Sequence, residues 1–430
     1  MSLPIDGAQR ISAAMTTQQY AVETSCEIPG VAVPEALLAN PQSFGGVQLG
    51  GCRVGTFRSS GDQAELRAAD GSPRRMILPR LVETHVHLDK CHTIDRCHDV
   101  GGDLAAASAA QRRDKALWTR DDLETRMRRG LEELIAAGCG TIRTHIDWDA
   151  RDPTPPLAWE IAIDLAAEVA PRGIILQAAA LVGIDDMADP AIAEPVARRV
   201  AQDGGVLGGF VLGHPQRLEG ISQMFALAAR FGLPLDFHVD EGLDPTLDGL
   251  DLIAQTANEM RHQGPVLCGH ACALAVRPPK DVARVADDLA ETGIAVAMLP
   301  TTNLYLQGRG GGTPRQRGVT MVRELAARGV PVVVGTDNVR DAFCPIGVHD
   351  PRLSLMIASL AAHLDPPLAD HLPMITTTAR QALGLPPQTV DTAPLDQLVI
   401  CDTTDVASLL SDRPQLHPLA PHLNGGPPLG

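Results

Sequence analysis

The sequence predicts an α/β protein, a (β/α)8 TIM barrel with a small β-sandwich subdomain formed by both chain ends. Three observations predict it. Eight short apolar runs recur along the chain, stretches of helical period separate them, and the two flanks lack this alternation. The runs are 76–82, 141–146, 174–181, 206–212, 234–238, 265–268, 294–299 and 330–334. The intervening helical patterns cover 120–137, 157–169, 192–202, 221–230, 250–263, 282–292 and 319–328. Regular alternation of strand and helix implies parallel βαβ units. Near-continuous apolar runs are what strands buried on both faces require. Eight units in roughly 250–270 residues fit a closed barrel better than a doubly wound open sheet, which usually has fewer strands.

The flanks, 20–75 and 385–430, are rich in Gly, Pro, Val and turn residues. Within the second, Asp396-Gln397-Leu398-Val399-Ile400-Cys401-Asp402 reads as a strand, and the segment from Asp412 is Pro-rich and irregular. The expected division is therefore three-part. Residues 1–75 form the N-terminal part of the β-rich subdomain, 76–385 the barrel, and 386–430 the rest of the subdomain with a tail.

Composition excludes several functions. With 430 residues, 44% hydrophobic and 20% charged, the chain can bury a large core and is not of disordered type. A net charge of −16 opposes nucleic acid and anionic membrane as partners. Aromatics at 3% leave few stacking platforms for single strands. The nine cysteines are scattered, odd in number and without a CxxC pair, which argues against a disulfide framework or zinc knuckle. Residues 1–20 lack a basic start followed by an apolar run, and no apolar run reaches membrane-spanning length. A cytoplasmic location is expected.

In a parallel barrel the chemistry sits where strands end. At the first strand end stand His85 and His87, two apart and so on one side of an extended chain. The fifth ends in His238, followed by Asp240 and Glu241; the sixth carries His270 and the eighth Asp337. Three imidazoles and a carboxylate suit a borderline divalent ion such as zinc or iron(II). Such an ion activates water, and a nearby carboxylate can move protons. An isolated HxH pair is weak evidence, since two strand histidines are often only hydrogen-bonded; coincidence at four strand ends is not. His145 and Asp147, at the second strand end, line the pocket or brace the first-strand histidines, and bracing is the favoured reading. His214 faces the pocket or caps its loop. Lys90 is a ligand-facing charge or a solvated loop residue. Cys268 and Cys272 read as small buried residues. His92, His98, His262, His349, His363, His371, His417 and His422 fit no strand end and read as surface or helix residues.

From about Met76 to Leu385 the chain resembles the amidohydrolase superfamily, and within it the cytosine deaminase group. The matching segments are His85-Val86-His87-Leu88-Asp89, Arg143-Thr144-His145-Ile146-Asp147, Asp236-Phe237-His238-Val239-Asp240-Glu241, Gly269-His270, Leu306-Gln307-Gly308-Arg309 and Asp337-Asn338-Val339-Arg340-Asp341. The resemblance implies one divalent metal ion, zinc or iron with manganese as a third candidate, on His85, His87, His238 and Asp337. It implies that Glu241 shuttles protons, that His270 hydrogen-bonds the activated water, and that Asp337 also accepts its proton. No lysine ends the fourth strand, where two-metal members carry a carbamylated one, so a mononuclear site is implied. Relatives commonly self-associate, which implies a homo-oligomer.

The departures concern the substrate. Gly183 stands where the group carries a pyrimidine-reading glutamine, and Leu181, Asn338 and Phe343 replace a phenylalanine, an aspartate and a tryptophan. With Gln307 these are the expected substrate-binding residues. A hydrolase that removes an alkylamine from N-isopropylammelide has a similar Asp-Asn-Ile-Arg-Asp run but lacks the glutamate present here as Glu241. The expected function is hydrolytic deamination of an amino-substituted N-heterocycle: a cytosine-like pyrimidine, a triazine or a cyclic amidine. The alternatives are a cyclic amide or N-alkylamine-releasing hydrolase on the same site, and a non-catalytic ligand-binding protein.

Overall fold

The computed structural model describes residues 26–60, 63–68, 72–98, 100–152 and 154–420. The segment 1–20 and His422, both read above, lie outside the described residues.

A seven-stranded sheet gathers strands from both chain ends: β1 (Cys26–Pro34), β2 (Val47–Leu49), β3 (Cys52–Ser60), β4 (Gln63–Arg67), β5 (Arg75–Pro79), β14 (Leu398–Cys401) and β15 (His417–Pro418). Its order is β15-β14-β5-β1-β3-β2, with β4 also on β3. The subdomain read as a sandwich is thus one hydrogen-bonded sheet that branches at β3. β14 pairs antiparallel with β5 and so joins the last part of the chain to the first.

The barrel strands are β6 (Leu81–Val86), β7 (Cys139–Asp147), β8 (Ile175–Gly183), β9 (Val206–Val211), β10 (Leu235–Val239), β11 (Val266–His270), β12 (Ala295–Met298) and β13 (Val332–Val334). Each pairs with its sequence neighbour, in the order of the eight apolar runs. The first run divides at Arg80, which corrects the reading of 76–82 as one strand. Residues 75–79 belong to the small sheet, because the Arg80 backbone N–H and its Nε donate to the carbonyls of Gln397 and Asp396. The barrel therefore begins at Leu81.

The helices bury apolar stripes against this sheet. Pro279–Thr292 buries Val282, Val285, Ala286 and Leu289, a spacing of three and four, and stops at Gly293 with φ 68. The pattern at 319–328 condenses to a short helix, Val322–Ala326. The residues before it are taken up by the site, since the Thr320 hydroxyl donates to the His270 carbonyl at 2.7 Å. The barrel closes at the site as well. An isolated bridge joins Val86 to Asp337, and the Asp337 N–H donates to the His85 carbonyl at 2.7 Å. The two chain segments that meet there are the first and the last of the barrel.

Candidate active site

Five of the strand-end residues singled out above reach one buried point, while Asp240 instead accepts from the Gly249 and Leu250 N–H groups. His85 and His87 leave β6, His238 lies in β10, His270 ends β11, and Asp337 follows β13. All five are at most 4% exposed. Asp240, His270 and Asp337 have φ of 50, 71 and 58°, left-handed backbone that turns the chain sharply as it leaves the strand.

The donor atoms of the four implied ligands converge. His87 Nε2 lies 3.3 Å and His85 Nε2 3.6 Å from Asp337 Oδ1, and His238 Nε2 lies 3.1 Å from His87 Nε2. A tetrahedral ion with bonds of about 2.0–2.1 Å sets its ligand atoms about 3.3 Å apart. His85 Nε2 and both Asp337 oxygens are buried without a hydrogen-bond partner. Buried polar atoms are rarely left so, and a shared cation would satisfy them together. Burial holds the three imidazoles below their usual pKa, with neighbouring histidines and Lys90 adding to it. Their neutral form is the one that binds metal. The residues fit a divalent ion.

A second layer supports these rings from below. His145 is fully buried, its ring centroid 4.0 Å from that of His85, and its Nε2 lies 3.0 Å from Asp236 Oδ1. The other Asp236 oxygen accepts from Arg143 Nη1 at 2.8 Å, and Arg143 also donates to Gln177 Oε1 and the Leu383 carbonyl. His145 therefore sits under the histidines, where the bracing role places it, and Gln177 points into the barrel. Glu83, wholly buried, accepts from the backbone N–H of His85 and Thr336. It ties the first strand end to the eighth.

Glu241 and His270 stand beside the ligand cluster. His270 Nδ1 lies 3.6 Å from Glu241 Oε1 and 3.0 Å from Asn303 Oδ1, and its Nε2 has no protein partner. Burial pushes the Glu241 carboxyl up to about 7, against the opposing pull of His270. A carboxyl of that kind can both accept and donate a proton near neutral pH. Asn303 belongs to the helix Pro300–Leu306 after β12. No single residue there pointed to it, because asparagine after a strand is common.

Above the cluster opens a cavity of about 320 Å³. His87, His238, His270, Glu241 and Asp337 form its floor, and Leu181, Gly183, Asn338 and Phe343 its walls. Gln307 lines an adjoining outer cavity of about 960 Å³ instead, and its Nε2 donates to the Glu241 carbonyl at 3.3 Å. Leu104, Ser108, Phe210 and Glu241 are common to both cavities. Asn338 Nδ2 is committed to Asp341, whose other oxygen accepts from the N–H groups of Phe343 and Cys344. That aspartate shapes the wall without facing the cavity.

The remaining candidates divide. Lys90 is buried, lines the cavity and pairs with Asp147 at 2.8 Å; Asp147 lines it too. His214 caps its loop, accepting from the Leu212 N–H at 3.0 Å. Cys268 and Cys272 are buried and free. His92 and His349 are corrected. Neither is a surface residue, for each donates to one oxygen of Glu133, at 3.0 and 2.8 Å, with the His349 ring fully buried. This clasp joins the loop after β6 to the loop after β13. A histidine read by strand position alone gives no sign of it.

Known proteins share the family and the fold of this chain. The amidohydrolase family model matches residues 101–389, more than half of the chain. A pterin deaminase of Rhizobium rhizogenes is 37% identical over 325 residues, covering 75% of this chain and 74% of that one. A 5-methylcytosine deaminase from Klebsiella pneumoniae, solved with 5-fluorocytosine, shares the fold with a TM-score of 0.75 at 24% identity, over 91% of this chain and 94% of that one. N-isopropylammelide isopropylaminohydrolase from Burkholderia multivorans does so with a TM-score of 0.67 at 22% identity, over 91% and 95%. On the family match and on the relative of high coverage, this chain belongs to the amidohydrolase family.

Proposed function

We propose that this protein is a hydrolytic deaminase of an amino-substituted N-heterocycle, with an amino-oxo bicycle of the pterin class as the leading substrate. One observation carries the reading. Glu241 and His270 adjoin the donor atoms of His85, His87, His238 and Asp337 at the floor of a ring-sized cavity. His85, His87, His238 and Asp337 would hold one divalent ion, zinc or iron(II), with manganese as the third candidate. When bound, the ion supplies a Lewis acid that makes water a nucleophile near neutral pH.

Hydrolysis at an amidine carbon then asks three things of the chain. A first proton must pass from the water to a ring nitrogen, a second must leave the water oxygen once it is bonded to carbon, and that second proton must reach the departing amino group. Asp337 and His270 face the floor and orient the water, with Asp337 as the first proton acceptor. Glu241 carries one proton from the water to the ring nitrogen and then delivers the second to the departing amino group, which leaves as ammonia. Trp148, Phe210 and Phe343 line the walls and offer faces to a flat ring. The R. rhizogenes relative is named for pterin, and its identity and coverage favour a pterin over cytosine here.

The alkylamine-releasing alternative drew on the Asn338/Arg340 run and on the absent glutamine at Gly183. Arg340 is exposed and is not among the lining residues of either cavity, whereas Asn338 lines the inner one, so only the Arg340 part of that motive falls away. The test is direct. Purified chain loaded with zinc, iron(II) or manganese is offered pterin, cytosine, isocytosine, ammelide and N-isopropylammelide, and ammonia and alkylamine are measured separately. Ammonia from pterin with formation of the 2-oxo product is the expected result. Alkylamine release without ammonia, or a new carboxylate from ring opening, contradicts it.

Location and assembly are proposals too. Among the described residues no helix is long and apolar enough to cross a membrane, and the eight described cysteines are free. Both support a cytoplasmic enzyme. A homo-oligomer rests on the resemblance alone and is checked by light scattering.

A further inference from the structure

We propose that Lys115, held in place by Asp147, forms the subsite for a ring oxo group. The site would then select amino-oxo heterocycles over analogues that lack the oxo oxygen. The inference rests on the deaminase reading above and adds the group that reads the far edge of the ring.

The wall at the end of β8, two strands from β10 and Glu241, carries little polar recognition of its own. It consists of Leu181, Val182 and Gly183. A Cβ added at Gly183 would meet one atom, Asp186 Oδ2, at 3.7 Å, so this corner is open. In the barrel register Asp147 is directly opposite Leu181 on the neighbouring strand. Whatever Asp147 holds is therefore brought to this corner.

Asp147 holds two ammonium groups. Its Oδ1 accepts from Lys90 Nζ at 2.8 Å and its Oδ2 from Lys115 Nζ at 2.5 Å. Both carboxylate oxygens are thereby engaged. Lys90 is committed to the floor, with Nζ also 3.3 Å from His87 Nδ1 and 5.1 Å from the Phe343 ring centroid, and its side chain 6% exposed. Lys115 differs. It ends the helix Leu104–Lys115, which turns Leu104, Ser108 and Lys115 toward the cavity. Its side chain is 34% exposed, and Asp147 is its one hydrogen-bond acceptor among the described residues. Its only other contact there is the face of Trp118, 5.6 Å away. An ammonium has three N–H donors, so two remain for the cavity.

Two Lys115 donors therefore remain at this corner, with the Asp149 carboxylate in the same lining, and the trio Lys90, Asp147 and Lys115 carries a net positive charge. The complementary group is an oxygen acceptor: a ring carbonyl, or better the oxygen of a deprotonated lactam. A substrate lacking that oxygen leaves two Lys115 donors to solvent and forgoes a charge-assisted hydrogen bond, which is the basis for discrimination here. Lys115 binds and orients the ring here and takes no part in proton transfer.

The experiment compares pterin with 2-aminopteridine, its oxo-free analogue, in the metal-loaded wild type, Lys115→Met and Lys115→Arg. Metal content and melting curves are recorded for each, and Lys115→Gln stands in if Lys115→Met does not fold. In Lys115→Met the KM for pterin rises about 10- to 100-fold, while kcat and the constants for 2-aminopteridine stay within about three-fold. Lys115→Arg recovers most of the loss. The inference is overturned if Lys115→Met keeps the wild-type KM and the wild-type preference for pterin. Failure of the wild type to release ammonia from either compound overturns the deaminase reading, and this inference with it, before any variant is compared.

Discussion

The floor and the wall of the cavity are built on different principles. The floor takes His87, His238, His270 and Asp337 from strand ends, where the barrel fixes backbone position to the hydrogen-bond register. The wall takes Leu181 and Gly183 from the end of β8, Lys115 from a helix inserted before the second strand, and Asn338 and Phe343 from the loop after the eighth. The floor is rigid because it belongs to the sheet. The wall depends on side chains that hold one another, as Asp147 holds Lys90 and Lys115, and as Asp341 holds Asn338. Such a division lets one reaction serve many substrates, since wall segments can change without disturbing the ligand set.

Substitutions test this contrast. The largest effect belongs to the floor. Asp337→Ala removes a ligand atom and should abolish metal binding, seen as near-zero metal by elemental analysis and loss of all turnover. Retention of one full equivalent of metal would show that Asp337 is not a ligand. Next comes the layer beneath. Asp236→Asn replaces the carboxylate beside His145 with a neutral amide and should weaken metal affinity about 10- to 100-fold, measured by chelator competition. Unchanged affinity would reduce the Arg143–Asp236–His145 chain to simple packing.

The smallest effect concerns the clasp outside the cavity. Burial holds His92 down to about 4, against the attraction of Glu133. A group whose pKa is depressed on folding takes up its proton more readily when unfolded. Stability therefore falls as pH drops from the ordinary value of 6.5 through about 4. His92→Asn, with no titrating ring, should lose less melting temperature over that window than the wild type. A steeper loss in the variant would contradict the sign.

The eight strands and the six residues that meet at the candidate site were legible because barrel periodicity and strand-end position are local properties of the chain. Arg80 was less so, since its division of the first run depends on carbonyls more than 300 residues away. The same holds for Lys115, which looks like an ordinary helix-terminal lysine until Asp147 is placed beside it. His92 and His349 were misread for one reason: their partner, Glu133, lies on a helix that no strand-end rule consults. Gln307 followed the family segment correctly as far as the mouth, but the outer cavity claims its side chain.

Central to the account is Glu241 as the group that moves the proton to the ring and the leaving amine. The direct measurement is ammonia release from pterin by metal-loaded wild type and Glu241→Gln, with metal content determined on the same samples. A fall of about 10²- to 10⁴-fold in kcat with full metal content is the predicted result. Undiminished ammonia release from the variant would contradict it.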